Sequence, residues 1–386
     1  MTPAARIQAA IEALDAVLAG ARAEPVLTAW GRRARYAGSG DRAAVRDLVF
    51  DALRRRRSYA ALGGAESGRG LMLGRLRARN EDPEDCFTGD RHAPAPLSEV
   101  ERAAGRPPAG AEALDLPDWL WPAFRESLGA EAEAAALALR HRAPVHLRAN
   151  LLKGDREAAA SALAAEGIET VPVPVGTTAL EVTAGARRVA RSRAFADGLV
   201  ELQDAASQAV VDALPLQDGA RVLDLCAGGG GKTLALAARL RAPVDAHDAA
   251  RRRLAELPSR ALRAGAAVRL VAKPEAEAPY DLVLCDVPCS GSGAWRRDPD
   301  AKWRLTPDML AELSRVQDAI LDRAAMLLRP GGTLAYATCS LLRAEDEARI
   351  GAFLSRASGW RKTSERRWRP GSDGDGFYLA LLTREF

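Results

Sequence analysis

Two cysteines and an aspartate carry the sharpest chemical signal in this 386-residue sequence. Asp286-Val-Pro-Cys289-Ser-Gly-Ser-Gly293 and Tyr336-Ala-Thr-Cys339-Ser340 each close an apolar run of strand character. Both thiols are therefore expected in one crevice at the carboxyl ends of strands. A cysteine thiolate is an accessible nucleophile near neutral pH. Added to C6 of a cytosine, it turns the ring into an enamine and makes C5 reactive towards a methyl donor. A carboxylic acid near N3 favours that addition by protonating the ring nitrogen. A base then removes the C5 proton and the thiolate leaves, which is covalent catalysis with acid–base support. Turn residues surround Cys289 and Cys339, whereas Cys226 and Cys285 lie inside strand patterns and read as packing. With Cys86 the count is odd and scattered, so no disulfide framework is expected. No second Cys or His pair completes a zinc set around Cys285 and Cys289, and no metal is expected.

A second chemical signal is the run Arg221-Val-Leu-Asp224-Leu-Cys226-Ala-Gly-Gly-Gly-Gly-Lys232-Thr233. It reads as a strand, a glycine loop and a helix start. A nucleoside-triphosphate loop needs glycine five positions before the final glycine, and Cys226 stands there, so that pattern fails. Asp224 followed by Gly228 and Gly230 fits a loop for S-adenosylmethionine. About 20 residues on, Asp248 is placed to accept ribose hydroxyls, and equally to cap the following helix. His247 is expected to pack.

These groups need a parallel sheet to hold them. From about residue 143, short apolar runs alternate with helical patterns. Strands are expected at 145–150, 170–175, 180–182, 199–202, 221–225, 244–247, 268–271, 282–285 and 333–337. Helices are expected at 155–165, 233–240, 249–264 and 306–328, with a final antiparallel hairpin that includes 377–382. Strand–helix alternation implies an α/β architecture with helices on both faces. Residues 1–64 read as helical, 65–110 as loop-heavy, and 118–142 as two helices with Trp119, Trp121 and Phe124 on an apolar face.

Net charge is +4, which permits a nucleic-acid partner without requiring one. Its distribution is more telling. Arg54, Arg55, Arg56 and Arg57 form an unbroken run, with Arg32, Arg33 and Arg35 upstream. A second cluster comprises Arg361, Lys362, Arg366, Arg367 and Arg369. Each is readable as an RNA-facing patch or as a solvated face. Apolar runs are too short to span a bilayer, and the start of the chain lacks the long apolar core of a secretory signal, so a cytoplasmic protein is expected.

From about residue 145 onwards the chain resembles the Sun/Fmu family of RNA cytosine-C5 methyltransferases. The likeness lies in Leu147-Arg148-Ala-Asn150, in the stretch from Phe195 to Gln208, in the glycine loop, and in the Pro-Cys and Thr-Cys-Ser motifs. It extends through Arg296-Arg297-Asp-Pro-Asp-Ala-Lys302-Trp303 and Asp375-Gly-Phe-Tyr378. The resemblance implies a Rossmann-like class I methyltransferase domain and S-adenosylmethionine as cofactor. It makes Cys339 the nucleophile and gives Cys289 a part in product release. Cys226, Ala227, Gly228, Gly229, Gly230, Gly231 and Lys232, with Asp248 and Asp286, would contact the cofactor. Asp286 would also lie near the base, and Arg148, Arg296, Arg297 and Lys302 would contact RNA. Residues 41–57 resemble the NusB-like, all-α N-terminal RNA-binding domain of bacterial small-subunit rRNA members.

Three domains are therefore expected: 1–142 helical, 143–210 a small α+β RNA-binding segment, and 211–386 the methyltransferase. The implied substrate is small-subunit rRNA. The alternatives are tRNA, or a non-catalytic RNA-binding assembly factor. Two departures stand out. Gly228 and Gly229 replace the family's usual Ala-Pro, which should loosen the loop, and Ala272 stands where an aspartate near the adenine is usual.

Overall fold

A computed structural model describes residues 1–384 as two compact units. The first comprises Met1–Arg142 together with Trp295–Arg304. Its helices Pro3–Leu18, Ala23–Arg33, Ser39–Arg54, Arg56–Gly63 and Gly68–Ala78 enclose one apolar core built on Leu14, Val45, Leu53, Leu71 and Met72. The last of these helices falls in the stretch expected to be loop-heavy. Glycine lowers helix propensity, but here it lets two helices meet. A Cβ on Gly63 would sit 1.9 Å from the Gly70 carbonyl oxygen, and one on Gly74 would sit 1.9 Å from that of Tyr59.

The segment Trp295–Arg304, expected by chain order in the methyltransferase domain, packs in this first unit. Trp295 stacks on Phe124 with ring centroids 6.0 Å apart, and Trp303 Nε1 donates to the Leu53 carbonyl at 2.6 Å. Lys302 is fully buried and donates to the Arg54 carbonyl at 3.3 Å. Burial pushes its ammonium down to about 7.

The second unit holds the two sheets. Strands β1 (His146–Ala149), β2 (Glu169–Pro172), β3 (Ala179–Ala184) and β4 (Val200–Leu202) form a small antiparallel sheet in the order β2-β3-β1-β4. The large sheet is built from β5 (Val222–Asp224), β6 (Val244–Ala246), β7 (Val268–Leu270), β8 (Tyr280–Asp286), β9 (Leu328–Thr338), β10 (Trp360–Trp368) and β11 (Phe377–Arg384). Its order is β10-β11-β9-β8-β5-β6-β7. The five strands from β7 to β9 run parallel, and β11 and β10 close the edge antiparallel.

Side chains alternate across this sheet, as a strand's period of two requires. Leu282, Leu284, Ala335, Ala337, Leu379 and Leu381 enter one core, while Val283, Cys285, Leu334, Tyr336, Ala380 and Leu382 enter the other. Both faces are apolar, so these strands read as continuous hydrophobic runs. One expected helix is divided: residues 249–264 become a 3-10 turn, Arg251–Leu254, and a helix, Leu257–Ala264. Pro258 sits in that helix's first turn, where its missing N–H is harmless, and it cannot continue a helix from upstream. No helix among the described residues is long and apolar enough to cross a membrane.

Candidate active site

The direction of connection reverses beside β5, which has β6 on one side and β8 on the other. Ligands bind at such a point, outside the carboxyl ends of the strands. β5 ends at Asp224, β8 at Asp286 and β9 at Thr338, so the glycine loop and both cysteine motifs emerge side by side.

Cys289 Sγ lies 3.4 Å from Cys339 Sγ. Backbone bonds hold the two loops in register. Val287 N–H donates to the Ala337 carbonyl at 3.0 Å, and Gly293 N–H to that of Cys339 at 2.9 Å. The hydrogen bond to Cys339 pushes the Cys289 thiol well up. Burial and the neighbouring charges of Cys339 and Glu345 add to this. Cys285 is buried in the apolar core, where burial raises its thiol too, as befits a packing residue. Lys232 Nζ donates to Asp286 Oδ2 at 2.8 Å and lies 4.9 Å from the centroid of the Phe377 ring.

The glycine loop is tied to its surroundings by backbone groups. Gly228 has φ of 52° and Gly230 of 84°, both left-handed. A Cβ at Gly230 would fall 2.1 Å from Leu257 Cδ1. Gly228 N–H donates to Asp248 Oδ2 at 3.0 Å, and Ala227 N–H to the His247 carbonyl at 2.9 Å. Gly228 thus adopts without strain a left-handed conformation that a residue with a Cβ would take at a cost. Asp248 is buried. It also accepts from Ala250 N–H at 2.8 Å, a turn two residues long, and faces Arg253 at 3.2 Å. The 3-10 turn that follows has Ala250 as its N-cap and no side-chain cap bond, so the helix-capping role expected for Asp248 is not made. His247 packs, with Nδ1 2.9 Å from the Val271 carbonyl.

Arg148 is wholly buried. It donates to Gln203 and, at 2.6 Å, to the Gly231 carbonyl, so it braces the start of the helix after the glycine loop. The loop fits S-adenosylmethionine on a further observation. Asp224 Oδ2 accepts the Thr233 hydroxyl at 2.7 Å, the Cys226 backbone N–H also reaches this carboxyl, and the buried Oδ1 lacks a hydrogen bond of full geometry. An unsatisfied buried carboxylate oxygen is costly alone and well suited to a cationic ligand. Burial pushes this carboxyl up to about 7.

The basic run of the first unit is engaged internally. Arg54 is buried and donates to the Arg296 carbonyl at 3.3 Å, and Arg55 donates to that of Arg140 at 3.4 Å. Arg56 pairs with Glu66 at 2.6 Å and covers the Trp303 ring, and Arg57 pairs with Asp118 at 2.7 Å. Arg296 is buried and Arg297 exposed. The exposed cations of this unit include Arg32, Arg33 and Arg35, beside the exposed Tyr36. Among the described residues no group of His, Cys, Asp or Glu could hold a metal ion.

Two family models match the chain. That of the 16S rRNA methyltransferases RsmB/F covers residues 211–383, and that of their ferredoxin-like domain covers 116–188. The chain is 36% identical over 292 residues to ribosomal RNA small subunit methyltransferase B of Xylella fastidiosa, covering 70% of this chain and 67% of that one. To the protein of the same name from Serratia proteamaculans it is 35% identical over 288 residues, covering 69% and 66%. The chain belongs to the RsmB/F methyltransferase family. It spans about two thirds of the length of these relatives. A solved methyltransferase homologue from Pyrococcus horikoshii superposes with a TM-score of 0.62 at 25% identity, covering 71% of this chain and 96% of that one. Family membership brings S-adenosylmethionine as cofactor.

The sequence did not single out Glu345, Ser290, Ser292 or Ser340 as site residues. The repeated Cys-Ser dipeptide was the one available signal.

Proposed function

We propose that this protein methylates carbon 5 of cytosine in small-subunit rRNA, with Cys339 as nucleophile. The observation that carries the reading is the pair of thiols 3.4 Å apart at the ends of adjacent parallel strands. The names of the relatives support the substrate. S-adenosylmethionine, when bound, supplies an electrophilic methyl group.

The residues divide the rest of the work. Cys339 Sγ adds to C6 of the base and gives C5 the electron density it lacks. Asp286 accepts from the Lys232 ammonium and relays a proton from it to the ring nitrogen during that addition. Cys289 stays protonated until it is needed, because its thiol is held well above the ordinary range. Once Cys339 is bonded to C6, the thiol contact that raises Cys289 is gone, and Cys289 gives its proton to solvent. After alkylation it takes the C5 proton as a thiolate, and the C5–H electron pair expels the Cys339 thiolate from C6. Asp224 Oδ1 and the Gly228–Gly231 backbone hold the cofactor, with Asp248 at its ribose. Arg148 acts by bracing the loop. Arg32, Arg33 and Arg35 meet RNA phosphates, and Arg54–Arg57 hold the first unit together. An rRNA substrate puts the reaction in the cytoplasm.

The test is bisulfite sequencing of unmodified ribosomal and transfer RNA after incubation with the purified protein and S-adenosylmethionine. A conversion-resistant cytosine is expected in small-subunit rRNA. Resistance confined to tRNA, or none at all, contradicts the reading.

A further inference from the structure

Each cysteine at the site is followed by a serine, and both serines bond to one carboxylate. Glu345 lies wholly buried beyond the end of β9. Its Oε1 accepts the Ser290 backbone N–H at 2.7 Å and the Gln317 amide at 3.2 Å. Its Oε2 accepts the Ser340 hydroxyl at 2.6 Å and the Ser290 hydroxyl. The network continues outwards. Ser292 Oγ lies 3.0 Å from Ser340 Oγ and accepts Leu341 N–H at 2.8 Å, and Gln317 also donates to the Pro288 carbonyl at 3.0 Å. The four donors on Glu345 come from both cysteine loops and from the helix Pro307–Leu327.

A carboxylate removed from water is tolerated when its lone pairs are filled by donors, and charge-assisted bonds of this kind are the strong ones. Here all four donors are neutral. The arrangement therefore does more than neutralise a charge: it fixes the residue after Cys289 and the residue after Cys339 to one rigid group. We propose that Glu345 is a positioning residue that clamps the two cysteine loops together and sets the separation of the catalytic thiols. The proposal rests on the two-cysteine reading above. Glu345 is also among the neighbours that raise the Cys289 thiol.

The test measures thiol separation without RNA. Diamide oxidation of the full chain, followed by peptide mass spectrometry, gives the rate at which Cys289 and Cys339 become a disulfide. Glu345→Ala is expected to form it at least ten-fold more slowly than the wild type. S-adenosylmethionine affinity should stay within two-fold, and the single-turnover methylation rate should fall about 100-fold with little change in KM. Glu345→Gln keeps an acceptor for the Ser290 N–H and should recover much of the oxidation rate. Where Glu345→Ala does not fold, Ser340→Ala, which removes one arm of the clamp, takes its place. Oxidation at the wild-type rate in the Ala variants overturns the proposal. So does a rate in Glu345→Gln no better than in Glu345→Ala. A wild-type protein that oxidises rapidly yet methylates no RNA counts against the functional reading and leaves the clamp standing.

Discussion

Individual carboxylates at the cofactor end of the site are asked to do two things at once. Asp248 is expected to receive the ribose while also fastening Gly228 and Ala250. Losing hydrogen bonds to a charged group costs about 1.5–3 kcal/mol. Asp248→Ala should therefore weaken S-adenosylmethionine binding by roughly ten- to a hundred-fold by calorimetry. Unchanged affinity in a folded variant would remove the ribose role. Asp224 carries a pH signature. Its carboxyl is pushed up to about 7 by burial, whereas a cationic ligand needs the ionised form. Binding should then release a proton, and affinity should rise with pH up to about 7, at most about ten-fold per unit. On the ligand-free fold the sign is opposite: the raised value contributes stability that is complete below the ordinary carboxyl range and lost as pH rises through about 7. Titrations between about pH 5.5 and 7 should show the slope in the wild type and not in Asp224→Asn. A flat wild-type profile would detach Asp224 from the cofactor.

At the scale of elements, the glycine loop makes a graded prediction. An alanine at 228 must adopt a left-handed φ of 52°, at a cost of about 1–2 kcal/mol. At 230 the same strain is joined by a Cβ 2.1 Å from Leu257 Cδ1. Gly230→Ala should therefore lower thermal stability and cofactor affinity more than Gly228→Ala does. Equal effects would contradict the loop geometry. Elements of this kind were the most legible part of the sequence. Short apolar runs lead to Asp224, Asp286 and Cys339, as strands of a parallel sheet buried on both faces require. The helix Gly68–Ala78 was hidden because its glycines signal a loop locally, while their use is close helix contact. The Glu345 clamp was hidden for a different reason. Glu345 follows Ser340 by five residues and Ser290 by fifty-five, and only pairing of β8 with β9 brings those serines to one side chain. Arg148 shows the converse: its motif was visible, but burial on β1 turned an expected RNA contact into a brace.

Across the whole molecule, the question is where the positive charge is available to a polyanion. A run of four arginines suggested a phosphate patch, yet their guanidinium groups hold carbonyls, carboxylates and an indole ring within the first unit. Replacing Arg54 with Gln should lower the thermal midpoint, since a buried bond from a charged donor is worth about 1.5–3 kcal/mol. It should leave the salt dependence of RNA binding unchanged. Replacing Arg32, Arg33 and Arg35 with Gln should do the reverse. Midpoints stay within error, and the slope of log K against log salt falls by about 0.9 for each phosphate contact removed. A slope that responds to Arg54 and not to the exposed trio would return the phosphate role to the buried run.

The central claim is that Cys339 attacks and Cys289 completes the reaction, and trapping the covalent intermediate tests it most directly. Cys289→Ala retains the nucleophile but resolves the adduct slowly. Mixed with RNA and S-adenosylmethionine, it should leave protein bound to RNA as a shifted band on a denaturing gel. Cys339→Ala should give no such band and no methylation. A trapped complex with Cys339→Ala and none with Cys289→Ala would contradict the account and exchange the two roles.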